Sequence, residues 1–517
     1  MSRRHLVIAL GLLAACGPQK VAVDPAIAGR ATLELADANF RAGCFDCLAE
    51  ALKQYESVRA IPVLADVANT GALRAAGLLA FRERELGTTD GGYLDRARQL
   101  AAASPALQSQ LATIVDLVTL VPWRIAPASA STTASTLANI VEGRNQRLDV
   151  LRQTADHDEL AAYVYIAFAC ETGVGLRMGN REMKAAVGAM ADVPLVAYRL
   201  ALCPTSGLAA LDDVVAKEPR YKEAAFYKAQ NAVRAQKLDP AEAGYRDAYA
   251  WRSTWPAATM GIADVSMTGE DFATAADFYE RTLALAPRNP EAMLGKVRAL
   301  SYAARHQEAL DTADELLAMQ RYPGDAYYWR AFNELNMERY DPAWTDIELA
   351  DRLLVNDLVP KLAGIIAINR KEYDVARQKL ETAQKRNPTD CQTGYFLHLV
   401  LTELRSWDRA VTVAQSASNC LGGEIVAAQT EIERIQAADR PEAKKARLIA
   451  SRQQRIASDT RMRANCWYNA AAASYNLSRK DEAKAFAERV IDDEQLGERA
   501  RELLARLDNP SKKEERR

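Results

Sequence analysis

Cysteine and histidine are the residue types in this 517-residue chain best suited to chemistry. There are eight cysteines and four histidines. Two cysteines stand three apart in "AGCFDCLAEAL", where Cys44 and Cys47 lie in a turn just ahead of a helical pattern. A C-x-x-C pair at a helix start can be a redox couple, because the helix N-terminus favours the thiolate. It can equally be a disulfide that staples the turn, and the lack of a preceding strand favours the staple. Zinc would need two further ligands, and no nearby His or Cys supplies them. His5, His157, His306 and His398 each stand without a second histidine at metal-ligand spacing. His398 falls in an apolar helical pattern and reads as a core histidine. The stretch "GVGLRMG" (173–179) has the glycines of a nucleotide loop, but it follows a helical pattern rather than a strand. It reads as a helix-to-helix turn. Neither G-x-S-x-G nor a phosphate loop with its lysine occurs. The expectation is therefore a non-enzyme with no metal and no cofactor.

The elements that would position such residues are helices. Half the chain is apolar (49%), with 25 glycines and 19 prolines, and no segment sustains the alternation of a strand. The length exceeds what one hydrophobic core usually serves, so several domains or a repeat array are expected. The 66 basic and 68 acidic residues nearly cancel, which excludes the basic surface that nucleic acid requires.

The chain opens with Arg3 and Arg4, then an apolar run from Leu6 to Ala15 that is about half the length of a membrane span. A basic start and a short apolar core ending in small residues describe a secretory signal. The end of this run, Leu13-Ala14-Ala15-Cys16, resembles the lipobox of bacterial lipoproteins. The resemblance implies cleavage after residue 15 and acylation of Cys16. Gly17, in place of an aspartate after the cysteine, favours an outer-membrane destination, its periplasmic or surface face left open. Several acyl chains on one residue anchor stably where a single chain is marginal. Residues 1–15 are thus read as signal and 16–28 as tether, with the lipid as the only membrane attachment. Removing the signal loses two arginines and leaves a net charge of −4.

Downstream, "GEDFATAADFYERTLALAPRNP" (269–290) resembles the second helix of a tetratricopeptide repeat (TPR). Ala241, Ala275, Ala309, Ala343, Ala376 and Ala410 recur every 33 or 34 residues. Each falls where the two helices of a hairpin cross closely and only a small residue fits. Phe272, Tyr340, Tyr373 and Trp407 stand three residues ahead of such alanines, placed to wedge against the next hairpin. Pro219, Pro287 and Pro388 fall where a helix must stop. The array spans 222–421. Ala483 repeats the motif 73 residues after Ala410, so one unit (464–508) follows an insertion at 422–463. Pro441 divides that insertion into two helices. It reads as a solvated hairpin lengthening the stack, or alternatively as a docking element. Residues 29–120 read as further helices, 121–138 as a flexible link, 139–221 as degenerate repeats and 509–517 as a disordered tail.

The resemblance implies an all-α, right-handed solenoid of stacked hairpins with an additional helical N-terminal region, its first helices lining a concave surface. On that surface we expect Phe226, Met260, Arg298, Tyr328, Phe332, Tyr395, Tyr468 and Tyr475, a lining suited to an extended peptide or a helix. In an exported protein the remaining cysteines are expected to pair. Cys391 opens the first helix of its repeat and Cys420 closes the second, so the hairpin brings them together, with Cys466 a competitor. Cys170 and Cys203 each end a helical stretch and form a further candidate pair. One thiol must stay free. The function expected is a lipid-anchored envelope scaffold for a protein or peptide partner. The alternative is a solute-binding accessory lipoprotein for a transporter.

Overall fold

A computed structural model describes residues 24–88, 91–102, 107–108, 149, 151–171, 180–203 and 208–508. The expected signal and lipobox with Cys16, the expected link at 121–138 and the expected tail at 509–517 lie outside these residues. Every regular element described is helical, and the chain divides into two compact units, residues 1–227 and 228–517. No described helix is long and apolar enough to cross a membrane.

The first unit begins with α1 (Pro25–Ala42), whose entry is capped by the Asp24 carboxylate accepting from the Ala26 amide. Gly43 ends it at φ 74°, and a Cβ there would stand 2.5 Å from Leu195, so no other residue fits. Helices α2 (Phe45–Val58), α3 (Ala65–Leu86) and α4 (Tyr93–Ala101) follow, each packed on its predecessor. Then come α5 (Glu159–Glu171), α6 (Asn180–Val187), α7 (Pro194–Ala201), α8 (Leu208–Lys217) and α9 (Ala224–Arg234), within which the division falls.

A buried charged knot lies within this unit. The Arg82 guanidinium, 1% exposed, pairs with Glu223 at 2.7 Å and Glu85 at 3.1 Å and donates to the Gly43 carbonyl at 2.9 Å. It lies 5.6 Å from the Tyr163 ring centroid and 5.2 Å from that of Tyr198. Glu223 also accepts from the Phe45 amide, and Tyr221 donates to the Ala42 carbonyl. A buried ion costs far less paired than it would alone. The knot ties the ends of α1, α2, α3 and α9 together around the Cys44–Cys47 turn.

The second unit is a right-handed TPR-like solenoid. Its helices are α10 (Leu238–Trp251), α11 (Pro256–Thr268), α12 (Phe272–Leu285), α13 (Pro290–Tyr302), α14 (His306–Ala318) and α15 (Pro323–Asn336). They continue with α16 (Tyr340–Leu353), α17 (Leu358–Asn369), α18 (Tyr373–Arg386) and α19 (Cys391–Glu403). The last four are α20 (Trp407–Ala437), α21 (Glu442–Asn476), α22 (Lys480–Ala487) and α23 (Gly497–Asp508).

Two features recur with the repeat. The seven alanines at the hairpin crossings, Ala241 through Ala410 and Ala483, are each at most 1% exposed. The turns between first and second helices each contain one left-handed residue: Gln236, Glu270, Ala304, Glu338, Lys371, Arg405 and Ser478. In every case the next amide donates back across the turn, as Asp271 does to Ser266 and Arg305 to Leu300, closing the helix with a Schellman bond. The repeat is thus kept in phase by its turns as well as by its crossings.

The insertion does not form separate helices. It prolongs the second helix of one repeat and the first helix of the next, giving α20 a length of 31 residues and α21 of 35. Pro441 caps the entry to α21.

Candidate functional site

Aromatic side chains from successive hairpins stack into a run along the array. Phe272 stacks on Tyr302 of the following hairpin, ring centroids 5.0 Å apart, and Tyr302 meets Trp329 edge-on at 5.4 Å. Trp329 in turn touches Tyr328 at 5.3 Å and Phe332 at 5.5 Å. The run ascends through three consecutive repeats. Trp329 is buried, Tyr328 and Phe332 are half-buried, and Tyr302 is 50% exposed. An exposed tyrosine backed by stacked rings is a pre-ordered contact surface that loses little side-chain entropy on binding. Sequence reasoning missed Tyr302 and Trp329, because their repeat phase is shared by other residue types in the neighbouring hairpins.

The eight residues expected on the groove have different settings. Phe226 is only 7% exposed and packs edge-on against Tyr227 at 5.4 Å, so it lines the core and not a groove. Its apolar bulk was satisfied by helix packing. Tyr328 and Phe332 share Trp329, as above. Tyr395, Tyr468 and Tyr475 are half-buried against one core at the C-terminal end. The Arg499 guanidinium lies 4.9 Å from the Tyr468 ring centroid. Met260 is half-buried within 4.0 Å of the Asn289 amide, and Arg298 is exposed.

The cysteines form bridges Cys44–Cys47, Cys170–Cys203 and Cys391–Cys420, leaving Cys466 free. Cys44 and Cys47 are 0% and 2% exposed, closed off from any substrate disulfide. Cys466 has a more suggestive setting: its Sγ lies 3.7 Å from His398 Nδ1, and the Asn469 amide lies 3.2 Å from His398 Nε2. Cys, His and Asn in contact could form a nucleophilic site. Here burial pushes the thiol up to about 12 and the imidazole down to about 4. Both groups therefore stay neutral at pH 7, and neither has any exposed surface. His398 fills the place that Ala263, Val297, Ala331 and Gly364 occupy in the other repeats, all of them buried. It is a packing residue with satisfied nitrogens.

Elsewhere, the turns at Glu338–Pro342 and Arg370–Glu372 enclose an open, polar depression in which Arg370 stacks on Trp344. Among the described residues no three His, Cys, Asp or Glu side chains are placed to hold a metal ion.

The fold and this surface define a helical-repeat protein of the TPR type. No family model matches the chain, and no curated protein is similar to it. Solved structures do resemble it. The TPR protein YrrB, described as having an unusual peptide-binding site, matches with a TM-score of 0.34 and 16% identity, over 44% of this chain and all of its own. A TPR protein from Parabacteroides merdae gives 0.35 and 14% over 56% of this chain and 99% of its own. Pseudomonas aeruginosa pilF gives 0.35 and 18% over 38% of this chain and 90% of its own.

Proposed function

We propose that this chain is a non-catalytic scaffold that captures an extended peptide or a partner helix on the first-helix face of its repeat array. The observation that carries this reading is the aromatic run Phe272–Tyr302–Trp329, flanked by Tyr328 and Phe332, which leaves Tyr302 half exposed. Aromatic anchors of this kind dominate interface energetics, each worth upwards of about 2 kcal/mol at the centre of a contact.

The test is a peptide library displayed on phage and selected against the full chain, with the enriched peptides re-measured on two variants. Tyr328→Ala should weaken binding at least tenfold while the melting temperature stays nearly unchanged. Ala343→Trp, which forces an indole into a hairpin crossing, should lower the melting temperature, as overpacking costs about 1–3 kcal/mol. Equal thermal losses in the two variants would make Tyr328 a core residue and defeat the assignment.

The partner is a protein or peptide of the cell envelope, and the chain reaches it as a lipoprotein acylated on Cys16, in the outer membrane. What supports this reading is the Leu13-Ala14-Ala15-Cys16 sequence behind a basic, apolar start. Cys16→Ser should abolish incorporation of labelled palmitate. Unchanged labelling in that variant would reject the anchor.

A further inference from the structure

The hairpin formed by the far half of α20 and the near half of α21 extends seventeen residues beyond Cys420, about 25 Å at helical rise. It does not end in solvent. Lys444 pairs with Asp239 and, at 3.1 Å, with Glu242. Arg440 reaches Asp239 at 2.9 Å, and Arg447 reaches Asp271 at 2.6 Å. Ser451 donates to Glu270 at 2.5 Å, and Arg452 bridges Glu270 at 2.7 Å to Glu431 at 2.8 Å on its own hairpin. The partners are 176 to 205 residues apart. They join the last repeats of the solenoid to the turns of its first two.

Three features distinguish this seam from incidental surface pairing. Within α21, Lys444, Arg447, Ser451 and Arg452 share one helical face, and Arg440 stands just ahead of the helix. One acidic group departs from its neighbours: Asp271 stands where the adjoining hairpins carry Lys237 and Arg305, whereas Asp239 holds a repeat position shared by Asp341, Asp374 and Asp408. Finally, the α21 backbone does not pack along α10, α11 or α12 as it does along α20, so the seam is held by side-chain ends.

We propose that the hairpin is an ionic latch that closes the repeat array on itself and holds it at one curvature. Helical repeats touch only their neighbours, and an open array flexes as a spring. A strap between its ends removes that freedom and pre-orders the aromatic face. Charge pairing at a solvated seam is screened by salt, so the closed state is set by ionic strength and by any competing charged surface.

The consequence for binding rests on the peptide-capture reading above; the latch itself does not. Spin labels at Ala273→Cys and Ala443→Cys, both exposed sites on either side of the seam, report the closure directly in the full chain. At low salt one narrow distance is expected. In 1 M NaCl, or in the Lys444→Glu/Arg447→Glu variant, the distribution should lengthen and broaden. A narrow, unchanged distance under both conditions would overturn the latch.

Peptides selected on the unmodified protein should then bind the double variant at least fivefold more weakly. An opened seam with unchanged affinity would refute the control of the groove by the latch, leaving peptide capture intact. Should selection yield no peptide at all, the capture reading fails, and the distance measurement alone still decides the latch.

Discussion

Glu334 shows how one residue can make stability depend on pH. Burial, with the adjacent Asp346 carboxylate adding to it, raises its carboxyl to about 7, partly offset by Arg330. Arg330 grips Asp346 with two bonds of 2.7 and 2.9 Å, so the carboxylate of the pair is Asp346 and the proton stays on Glu334. The folded chain therefore binds a proton here that the unfolded chain has released between about pH 4.5 and pH 7. Across that window this group lowers stability as pH rises. Glu334→Gln keeps the shape and removes the titration. It should be more stable than the parent at pH 8 by about 1–3 kcal/mol, and nearly equal to it at pH 4.5. Denaturant melts of both proteins at the two pH values check this; a constant difference would show that Glu334 does not titrate in the window. His398 works in the opposite sense. Its imidazole, held down at about 4 by burial, costs stability as pH falls below 6.5, and it does so equally in both proteins.

At the scale of elements, the hairpin is the unit that must close correctly, and its turn carries a residue in a left-handed conformation. Ala304 occupies that position at φ 57° and is exposed. A non-glycine residue there costs roughly 1 kcal/mol, a penalty the Schellman bond from Arg305 to Leu300 offsets. Ala304→Gly should therefore stabilise the array by about 0.5–1 kcal/mol, despite glycine's greater freedom in the unfolded chain. A lower melting temperature in this variant would show that the turn tolerates alanine without strain. Hairpins also explain the aromatic run. A residue opening a second helix, such as Phe272, faces the next hairpin and meets its first helix at Tyr302.

Over the second unit as a whole, what matters is whether seven hairpins behave as a chain of neighbours or as one body. A bare solenoid unfolds from its ends, each repeat held by one interface. The seam from Lys444, Arg447 and Arg452 to Asp239, Asp271 and Glu270 joins those ends. Individually such partly exposed pairs contribute about 0–1 kcal/mol. Carried together on one stiff hairpin they act as a network, and the spin-label experiment measures its collective effect. In the first unit the Arg82 knot plays a different part. It is sealed from solvent, and its value lies in fixing how helix ends meet, since unpaired it would be strongly destabilising.

The repeat was legible in the amino-acid sequence because it is written locally. A crossing alanine and a wedge aromatic recur with a period of 33 or 34 residues, and each is required by contacts within one hairpin or its neighbour. His398 was likewise readable as core, from the apolar helix around it. The pairing of Arg82 with Glu223, 141 residues away, leaves no periodic trace, and neither does the seam from α21 to the first turns. Exposure was also undecided: the same pattern accommodates a buried Phe226 and a half-exposed Tyr302. Side-chain period and turn chemistry act over a few residues and were set by the sequence alone. Which charges meet, and which aromatic ring is left facing water, depends on the curvature summed over many hairpins, and only the tertiary structure decided it.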